Sequence, residues 1–251
     1  MNTVDILSKE LTRQSFLRET PAKELLEHYC GMARSYARIE NAIAVLSDIR
    51  SNTSYIYYGK VARLLDTGRN VLTETVSSIW EEEIFGLIHP DDLNGKHLHE
   101  LCFFNFTKKQ PKSTRFDYFM AEKIRMRNSS KGYAPMLHRI IYIPDQCCNN
   151  IWLALCLYSP LYFEMPAKSM IINSATGEIR ELDSHNGAGI LSAREKQVLS
   201  LIDKGMSSKE IAEFLFISKN TVSRHRQEIL SKLQVKNSIE ACRVAKDLEL
   251  V

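Results

Sequence analysis

Three helix-start signals of one kind lie within about fifty residues near the end of this chain. Ser192–Glu195 and Ser207–Glu210 have the pattern Ser-x-x-Glu, and Asn237–Glu240 has the same pattern with Asn in front. In such a pattern the first side chain accepts a hydrogen bond from a free N–H of the first turn, and the Glu binds back to the cap residue. Ser218 is a further candidate cap. Helices at such short intervals predict a small four-helix bundle.

The net positive charge of the chain is confined to the same segment. The 251 residues contain 33 Lys and Arg and 30 Asp and Glu. Between Ile190 and Val251 there are 11 basic and 8 acidic residues, whereas the remaining 189 residues hold 22 of each sign. A local positive excess favours a polyanionic partner such as double-stranded DNA.

Composition and motifs exclude several classes of protein. The longest apolar run, Ile151–Tyr158, is too short to cross a bilayer, and no secretory signal is present, so we expect a cytoplasmic location and no membrane partner. The six cysteines form no C-x-x-C pair, so neither a zinc site nor a disulfide framework is predicted. No nucleophile–base pair, phosphate loop or cofactor motif is found, so neither an enzyme nor a cofactor is predicted.

Two of the predicted helices have the spacing of a helix-turn-helix. They are expected at Ser207–Leu215 and Ser218–Leu233. In that motif the second helix enters the major groove and the first crosses the DNA backbone. At about 100° per residue, Val222, Ile229 and Leu233 share one face of the second helix, which must pack on the bundle. The opposite face is therefore expected to be exposed.

This outward face is polar and contains no acid, and its members are Asn220, Ser223, Arg224, Gln227 and Ser231. Arg reads guanine and Gln reads adenine through paired hydrogen bonds, so the face suits base edges. Lys219 and Thr221 lie in the first turn, where the helix N-terminus attracts phosphate. In isolation Arg224 and Gln227 are ordinary solvated positions; the surrounding motif favours a role in DNA binding.

A series of residues along Ile190–Ala245 carries a family resemblance without a gap. They are LSAREKQVL at Leu191–Leu199, SKEIA at Ser208–Ala212, and Gly205, Leu215, Ser218, Thr221, Val222, His225, Ile229, Lys232, Leu233, Glu240 and Ala241. With this pattern the segment resembles the LuxR-type DNA-binding domain. The resemblance implies a four-helix fold whose last helix, at about Ser238–Leu248, pairs two subunits on DNA.

The same resemblance implies roles for single residues. These are base contacts from Ser223, Arg224 and Gln227, and DNA-backbone contacts from Lys209, Thr221 and His225. Many relatives carry a basic residue in place of Ser223 or Gln227, which leaves the operator sequence open. His225 has a second interpretation as a packed histidine, and Glu195 is interpreted as a cap and internal ion-pair partner. The predicted DNA-binding set is Lys209, Lys219, Asn220, Thr221, Ser223, Arg224, His225, Gln227 and Lys232.

The front portion is predicted to be α+β, because two strand patterns, short helices and three longer strand patterns follow one another. The predicted elements are helices at Val4–Phe16, Thr20–Ala37, Trp80–Phe85 and Asp91–Phe104, strands at Ala42–Asp48, Thr53–Tyr58, Arg115–Arg127, Leu137–Ile143 and Ile151–Tyr158, and a hairpin at Ser169–Leu182. The polar, glycine-rich stretch Asp183–Gly189 is predicted to be a linker. The expected boundaries are 1–40 for N-terminal helices, 41–166 for the α+β domain, 167–189 for hairpin and linker, and 190–251 for the all-α helix-turn-helix domain.

A first hairpin, the segment WEEEIFGLIHPDDL at Trp80–Leu93 and the three long strands follow one another between residues 41 and 166. This order resembles a PAS sensor domain, and the HPDD segment at His89–Asp92 recurs in many of them. Within it, Pro90 is expected to end one helix and Asp91 to cap the next, so no metal site is predicted there.

PAS domains often hold a small molecule between sheet and helices. Candidate lining residues for such a pocket are Phe116, Tyr118, Met120, Leu153 and Leu155. The alternative is that they simply fill the core. The other side of the last long strand, with Trp152, Cys156 and Tyr158, is also apolar and must be covered by the helix around Leu25–Ala37 or by a second subunit. Dimerisation through this half is therefore expected.

Together these features predict a DNA-binding transcription regulator that acts as a homodimer on a roughly palindromic operator. The PAS-like half is expected to sense an unidentified small-molecule ligand or to mediate dimerisation. In the alternative interpretation, this half binds a partner protein and no small molecule.

Overall fold

The computed structural model describes residues 3–14, 16, 22–67, 72–145, 147–148, 150–166, 168–182, 191–233, 235–247 and 250. The chain divides into two compact units: residues 10–93 with 107–181, called the sheet unit here, and residues 1–9 and 94–106 with 182–251. The predicted linker Asp183–Gly189 and the predicted helix start at Thr20 and Pro21 lie outside the described residues, as does Leu248.

One antiparallel sheet dominates the sheet unit. Within the described residues its eight strands are β1 (Ile43–Asp48), β2 (Thr53–Tyr58), β3 (Thr73–Val76), β4 (Tyr118–Arg127), β5 (Tyr133–Pro144), β6 (Ile151–Pro160), β7 (Met170–Asn173) and β8 (Ile179–Glu181). Their spatial order is β3-β2-β1-β6-β5-β4-β7-β8. The five predicted strands are therefore confirmed, and the first hairpin joins the three long strands because β1 pairs with β6.

The helices along the described chain are α1 (Thr3–Thr12), α2 (Ala22–Ile39), α3 (Glu82–Phe85), α4 (Pro90–Lys109), α5 (Ala193–Asp203), α6 (Ser208–Phe214), α7 (Lys219–Leu233) and α8 (Ser238–Asp247). The first helix is shorter than predicted, and α4 is one turn longer at its end. None of the helices in the described part of the chain combines the length and apolar composition needed to cross a bilayer.

The two ends of the sheet differ from the sequence prediction. Strand β3 was not predicted, because Thr-Glu-Thr-Val has no apolar alternation and serves as a polar edge strand beside β2. The predicted hairpin forms from β7 and β8, and its turn is closed by a 2.8 Å hydrogen bond from Gly177 N to Asn173 O. Strand β7 also pairs with β4, so the hairpin extends the sheet.

Helix α2 covers one face of the sheet and packs on β1, β2 and β6. The side chains that it turns toward the sheet include Ala33 and Ala37, both fully buried. Because these are small, the helix lies close to the strands, over a cluster that includes Leu46, Leu155 and Leu157. Burial of this apolar surface stabilises the unit by about 25 cal/mol for each Å² removed from water.

The prediction of which face of β6 this helix covers is wrong. The sequence pattern placed Leu153 and Leu155 away from the helix, but both lie in the cluster beneath α2. Cys156 and Tyr158 fall on the opposite face, because successive side chains of a strand alternate. Both are nevertheless buried.

Trp152 breaks this alternation and shares the helix-covered cluster with Leu153. Its position coincides with a register shift, in which Ile143 pairs with Leu153 and Pro144 pairs with Ile151. One residue of β6 is thus left over as a bulge, which re-aims the side chain. Trp152 Nε1 donates a 3.0 Å hydrogen bond to Asp48 Oδ1, which satisfies the buried indole N–H.

The HPDD segment forms a helix start, but its cap is not the residue predicted. His89 is the N-cap of α4, since its Nδ1 accepts a 3.2 Å hydrogen bond from Asp91 N, and Pro90 occupies the first helical position. Asp92 binds the backbone N of Arg125 at 2.7 Å and its guanidinium at 2.6 and 2.9 Å. This ion pair joins the helix start to β4.

An acidic residue interrupts the apolar face of β4. Glu122 lies directly across from His138 of β5, and its Oε1 is 2.8 Å from His138 Nδ1. Its other oxygen accepts a 3.1 Å hydrogen bond from Ser169 Oγ, and the His138 ring stacks on Tyr158. The buried carboxylate is therefore hydrogen-bonded on both oxygens, as burial of such a group requires.

Leu155→Ala is expected to lower the free energy of unfolding of the sheet unit by about 3 kcal/mol, because it leaves a cavity under α2. Urea unfolding followed by tryptophan fluorescence measures this, since both tryptophans, Trp80 and Trp152, lie in that unit. Leu64→Ala is the control, because Leu64 is 60% exposed and its loss is expected to change stability by under about 0.5 kcal/mol. Equal losses in the two variants would contradict the packing described.

Candidate nucleic-acid interface

Two capping boxes begin the first two helices of the C-terminal domain, residues 191–250. Ser192 Oγ accepts from Glu195 N at 3.3 Å, and Glu195 Oε2 accepts from Ser192 N at 2.6 Å. The same pair of bonds joins Ser207 and Glu210, at 3.3 and 2.7 Å. Both predicted boxes are therefore confirmed, and they satisfy N–H groups that a helix start leaves without partners.

The other two helix starts are capped as well. Ser218 Oγ accepts from Thr221 N at 3.0 Å at the start of α7, and Asn237 Oδ1 accepts from Glu240 N at 2.9 Å at the start of α8. The carboxylate of Glu240 accepts from Lys236 N at 2.9 Å, so the return bond is shifted by one residue from the predicted box. Four helices follow one another as predicted.

Tight turns join these helices. Gly205 ends α5 with φ +83°, a conformation that glycine adopts without strain. Between α6 and α7, Phe216 has φ +54° and is 95% exposed. The connection between α6 and α7 is four residues long, which is the length that joins the two helices of a helix-turn-helix.

The inward side of α7 is the one that the sequence predicted. Val222, Ile229 and Leu233 are each at most 1% exposed, and the helix packs on α5, α6 and α8. Arg226 adds polar links to two neighbouring helix starts: its two terminal nitrogens donate to Ser208 Oγ and to Ser238 Oγ, both at 3.0 Å. Because one side is anchored in this way, the opposite side of α7 faces outward.

The predicted DNA-binding residues occupy this outward side to different extents. The exposed members are Lys209 of α6 and Lys219, Asn220, Ser223, Arg224 and Gln227 of α7. The partly buried members are Thr221, His225 and Lys232. Polar and basic groups that are accessible along one helix, with no bulky apolar side chain among them, form a surface that suits a duplex groove.

Lys232 is engaged inside the domain. Its Nζ lies 2.7 Å from both carboxylate oxygens of Glu195, which is 2% exposed. Burial by itself raises the pKa of the Glu195 carboxyl, but hydrogen bonds from Lys232 and Ser192 outweigh it and leave the pKa below its ordinary value. The interpretation of Glu195 as a cap and internal ion-pair partner is confirmed.

The expectation of an acid-free outward side needs a correction. Glu228 Oε1 accepts a 2.9 Å hydrogen bond from Arg224 Nε, and its other oxygen lies 3.6 Å from His225 Nδ1. Arg224 remains 79% exposed. The signal was present in the sequence, because residues four apart on a helix are neighbours.

The five candidate ligand-lining residues do not share one face of the sheet. Leu153 and Leu155 lie under α2. Met120 is in register with Ile140, which is in register with Cys156, so Met120 belongs to the opposite face. Tyr118, which begins β4, and Phe116, which precedes the strand, are partly buried.

Four capped helices, a tight turn between the second and third, and an exposed polar side on the third define a helix-turn-helix DNA-binding domain. Residues 189–245 match the family described as "Bacterial regulatory proteins, luxR family". The C-terminal part of the chain is therefore a LuxR-family domain of the kind found in transcription regulators. The matched segment is less than half of the chain.

Curated relatives are similar to this chain over a longer segment than the one that the family matches. The oxygen regulatory protein NreC of several Staphylococcus aureus strains is 34% identical over 120 residues, which is 46% of this chain and 51% of NreC. The chain thus spans about half the length of the curated relatives it matches.

Several solved structures align with most of the chain, but their structural similarity to it is low. A phage VqmA–DPO complex is 12% identical, covers 90% of both chains and has a TM-score of 0.31. Escherichia coli SdiA is 15% identical, with coverage of 99% of this chain and 97% of its own and a TM-score of 0.25. The Vibrio cholerae VqmA dimer is 16% identical, with 89% and 87% covered and a TM-score of 0.24. TM-scores this low establish no shared arrangement.

Glu195→Gln is expected to lower the free energy of unfolding of the C-terminal domain by about 2 kcal/mol at neutral pH, because a hydrogen-bonded, charged acceptor is lost. The lowered pKa of Glu195 means that its stabilising contribution is present above its ordinary value of 4.5 and is lost as the pH falls below it. The difference between wild type and variant should therefore shrink in acid. Hydrogen–deuterium exchange of α5 and α7 measures it.

The matched control is Asp203→Asn, which removes the partner of Lys246 in a more exposed ion pair. This variant should have a much smaller effect on exchange, since exposed pairs are screened by water. A difference for Glu195→Gln that stays constant from pH 7 to pH 3 would contradict the assigned role.

Proposed function

We propose that this protein is a cytoplasmic, sequence-specific DNA-binding transcription regulator that uses α7 to read the major groove. The observation that carries the proposal is the two-sided character of α7. Its apolar side is buried in the four-helix domain, and its polar side, with Ser223, Arg224 and Gln227, is exposed. A capped helix of fifteen residues with small and basic outward side chains fits the width of that groove.

In this proposal Arg224 and Gln227 contact base edges, together with Ser223. The bond from Arg224 to Glu228 uses Nε, so the two terminal nitrogens are available to pair with O6 and N7 of a guanine. Glu228 thereby orients the guanidinium and reduces the rotamer freedom that binding must otherwise remove. The carboxylate also disfavours a close phosphate at this point of the helix.

The backbone contacts come from the residues around the groove-reading face. Lys209 at the start of α6 and Lys219 in the first turn of α7 supply exposed ammonium groups for phosphates. Thr221, Asn220 and His225 supply hydrogen-bond donors beside them. Lys232 contributes through its ion pair with Glu195, which fastens α7 to α5 and so supports the position of the reading helix.

The protein is proposed to act as a homodimer, with α8 pairing two C-terminal domains on a roughly palindromic operator. The domain organisation we propose is 1–40, 41–166, 167–189 and 190–251, with a PAS-like input domain in the second segment. The union of the first hairpin and the three long strands in one sheet supports this assignment.

For the input itself we propose that the PAS-like domain primarily mediates dimerisation. The exposed apolar side chains of α2, such as Met32 and Ile39, favour contact with protein. In the competing form of the proposal, the domain binds a small-molecule ligand. Any such pocket is lined by residues of one sheet face, so the full set of five candidates cannot line it together.

Arg224→Ala is expected to weaken binding to a duplex selected from a random pool by about 1–3 kcal/mol and to relax preference at one base position. Fluorescence anisotropy with the selected duplex and its single-base variants measures both effects. An unchanged base preference would remove Arg224 from the reading surface.

Lys209→Ala is the contrasting variant in the same assay. It should weaken binding to all duplexes alike. The slope of the logarithm of the binding constant against the logarithm of the salt concentration should fall in magnitude by about one, as expected for the loss of one phosphate contact. Lys123→Ala, at an exposed position of β4, is the control and should bind like the wild type.

Native mass spectrometry of the full chain tests the proposed input. We expect a mass of two chains with no additional small molecule, because the input is proposed to be protein contact. A reproducible extra mass on each chain would support ligand sensing instead. A monomeric mass at all concentrations would contradict the homodimer.

A further inference from the structure

The outward side of α2 carries an apolar stripe that nothing in the chain covers among the described residues. Met32, Tyr36 and Ile39 are 43%, 37% and 83% exposed, although each is large and apolar. They line a shallow depression of about 530 Å³ along the helix, together with Gly31 and Ser35. An exposed apolar stripe with polar residues around it marks a surface for another protein.

Gly31 lies at one edge of this stripe and has no role in the packing of its own chain. A Cβ atom added to it meets nothing within 4 Å. Glycine inside a helix is unfavourable relative to alanine, so a glycine in open space calls for a reason outside the fold of the chain. Close approach of another backbone is such a reason.

Ser35, one turn later, is also small, so few side-chain atoms project from this part of the helix. Its Oγ donates a 3.0 Å hydrogen bond to Gly31 O, so the hydroxyl is satisfied within the helix. Gly31 and Ser35 therefore form a low saddle beside the larger side chains of Met32 and Ile39. A helix that crosses at this saddle also contacts these large side chains.

The charged residues beside the stripe are mostly separated by sign along the helix. Five exposed charged residues share one flank by helical periodicity, and they are Lys23, Glu24, Glu27, Arg34 and Arg38. Both acids lie in the first half of α2, and the basic residues lie in the second half except for Lys23 at the helix start. A second copy of the helix running in the opposite direction places its basic half beside the acidic half of the first, and the reverse.

We propose that α2 pairs with α2 of a second copy in antiparallel orientation, crossing at Gly31 and Ser35. A twofold axis at this point relates residue 27 to residue 39, so Glu27 lies beside the partner's Arg38, and the symmetry repeats each ion pair. The surface is self-complementary in shape and, at Glu27 and Arg38, in charge. Arg34, which is nearest the axis, stacks on Tyr57 of its own chain, with 5.5 Å between its Cζ and the ring centroid. This inference rests on the proposed homodimer and names the surface that forms it.

Gly31→Gln in the full chain tests the saddle. Gln favours a helix more than Gly and has open space in the monomer, so α2 is expected to stay folded while close approach is blocked. Sedimentation velocity without DNA should show a dimer dissociation constant raised by about tenfold or more, as expected for steric loss at an interface centre. The matched control, Lys123→Gln on β4, should leave the constant unchanged.

Charge reversal tests the orientation. Glu27→Arg and Arg38→Glu should each weaken the dimer by about tenfold or more, because each places like charges together twice. The double variant should return to within about threefold of the wild type, because the pairs are restored with exchanged signs. The same charge order also complements the helix dipole, but a dipole effect alone predicts no rescue of the dimer.

Each outcome bears on a separate claim. If the wild type is a monomer, the homodimer and this surface both fail, whereas DNA binding by the wild type still stands or falls in its own assay. If the wild type is a dimer that none of the α2 variants weakens, only the α2 surface is overturned. If the single reversals weaken the dimer and the double variant is not rescued, the antiparallel pairing is overturned.

Discussion

Burial of one side of α7 is the interaction on which the rest of the proposed DNA-binding surface depends. Val222, Ile229 and Leu233 leave water together, and this orients every other side chain of the helix. Because a helix is rigid between its ends, three buried positions determine where Ser223, Arg224 and Gln227 point. The links from Arg226 to Ser208 and Ser238 tie the starts of α6 and α8 to the same helix, so the proposed reading surface is held by the whole domain.

Acidic residues of the domain are largely used for its internal structure. Glu195, Glu210 and Glu240 all bind backbone N–H groups at helix starts, and Glu195 also holds Lys232. Carboxylates in such positions complement the helix dipoles and do not face a ligand. A domain with a small formal excess of positive charge can therefore present an outward side on which Glu228 is the nearby acid, and that acid orients Arg224.

Helix α2 has small residues on two sides, and on each side they permit close approach of a neighbouring element. Ala33 and Ala37 let it lie close to the sheet, over Leu155 and Leu157. On the other side Gly31 leaves open space where a Cβ atom would lie, which permits close approach of another backbone. The helix thus connects the core of the sheet unit with the surface that we propose to join two copies, so a change in the packing of the sheet has a direct route to the dimer.

The sequence by itself determined the features that depend on neighbours a few residues apart. The caps at Ser192, Ser207, Ser218 and Asn237, the buried side of α7 and the five main strands follow from local hydrogen bonds and from periodicity, and the structure bears them out. Only the tertiary structure decided which face of β6 meets α2, because the bulge at Trp152 depends on the register of a neighbouring strand. It also decided that Lys232 meets Glu195 and that Asp92 meets Arg125, pairs separated by 37 and 33 residues, since such contacts depend on how finished elements pack and leave no mark in any short stretch of sequence.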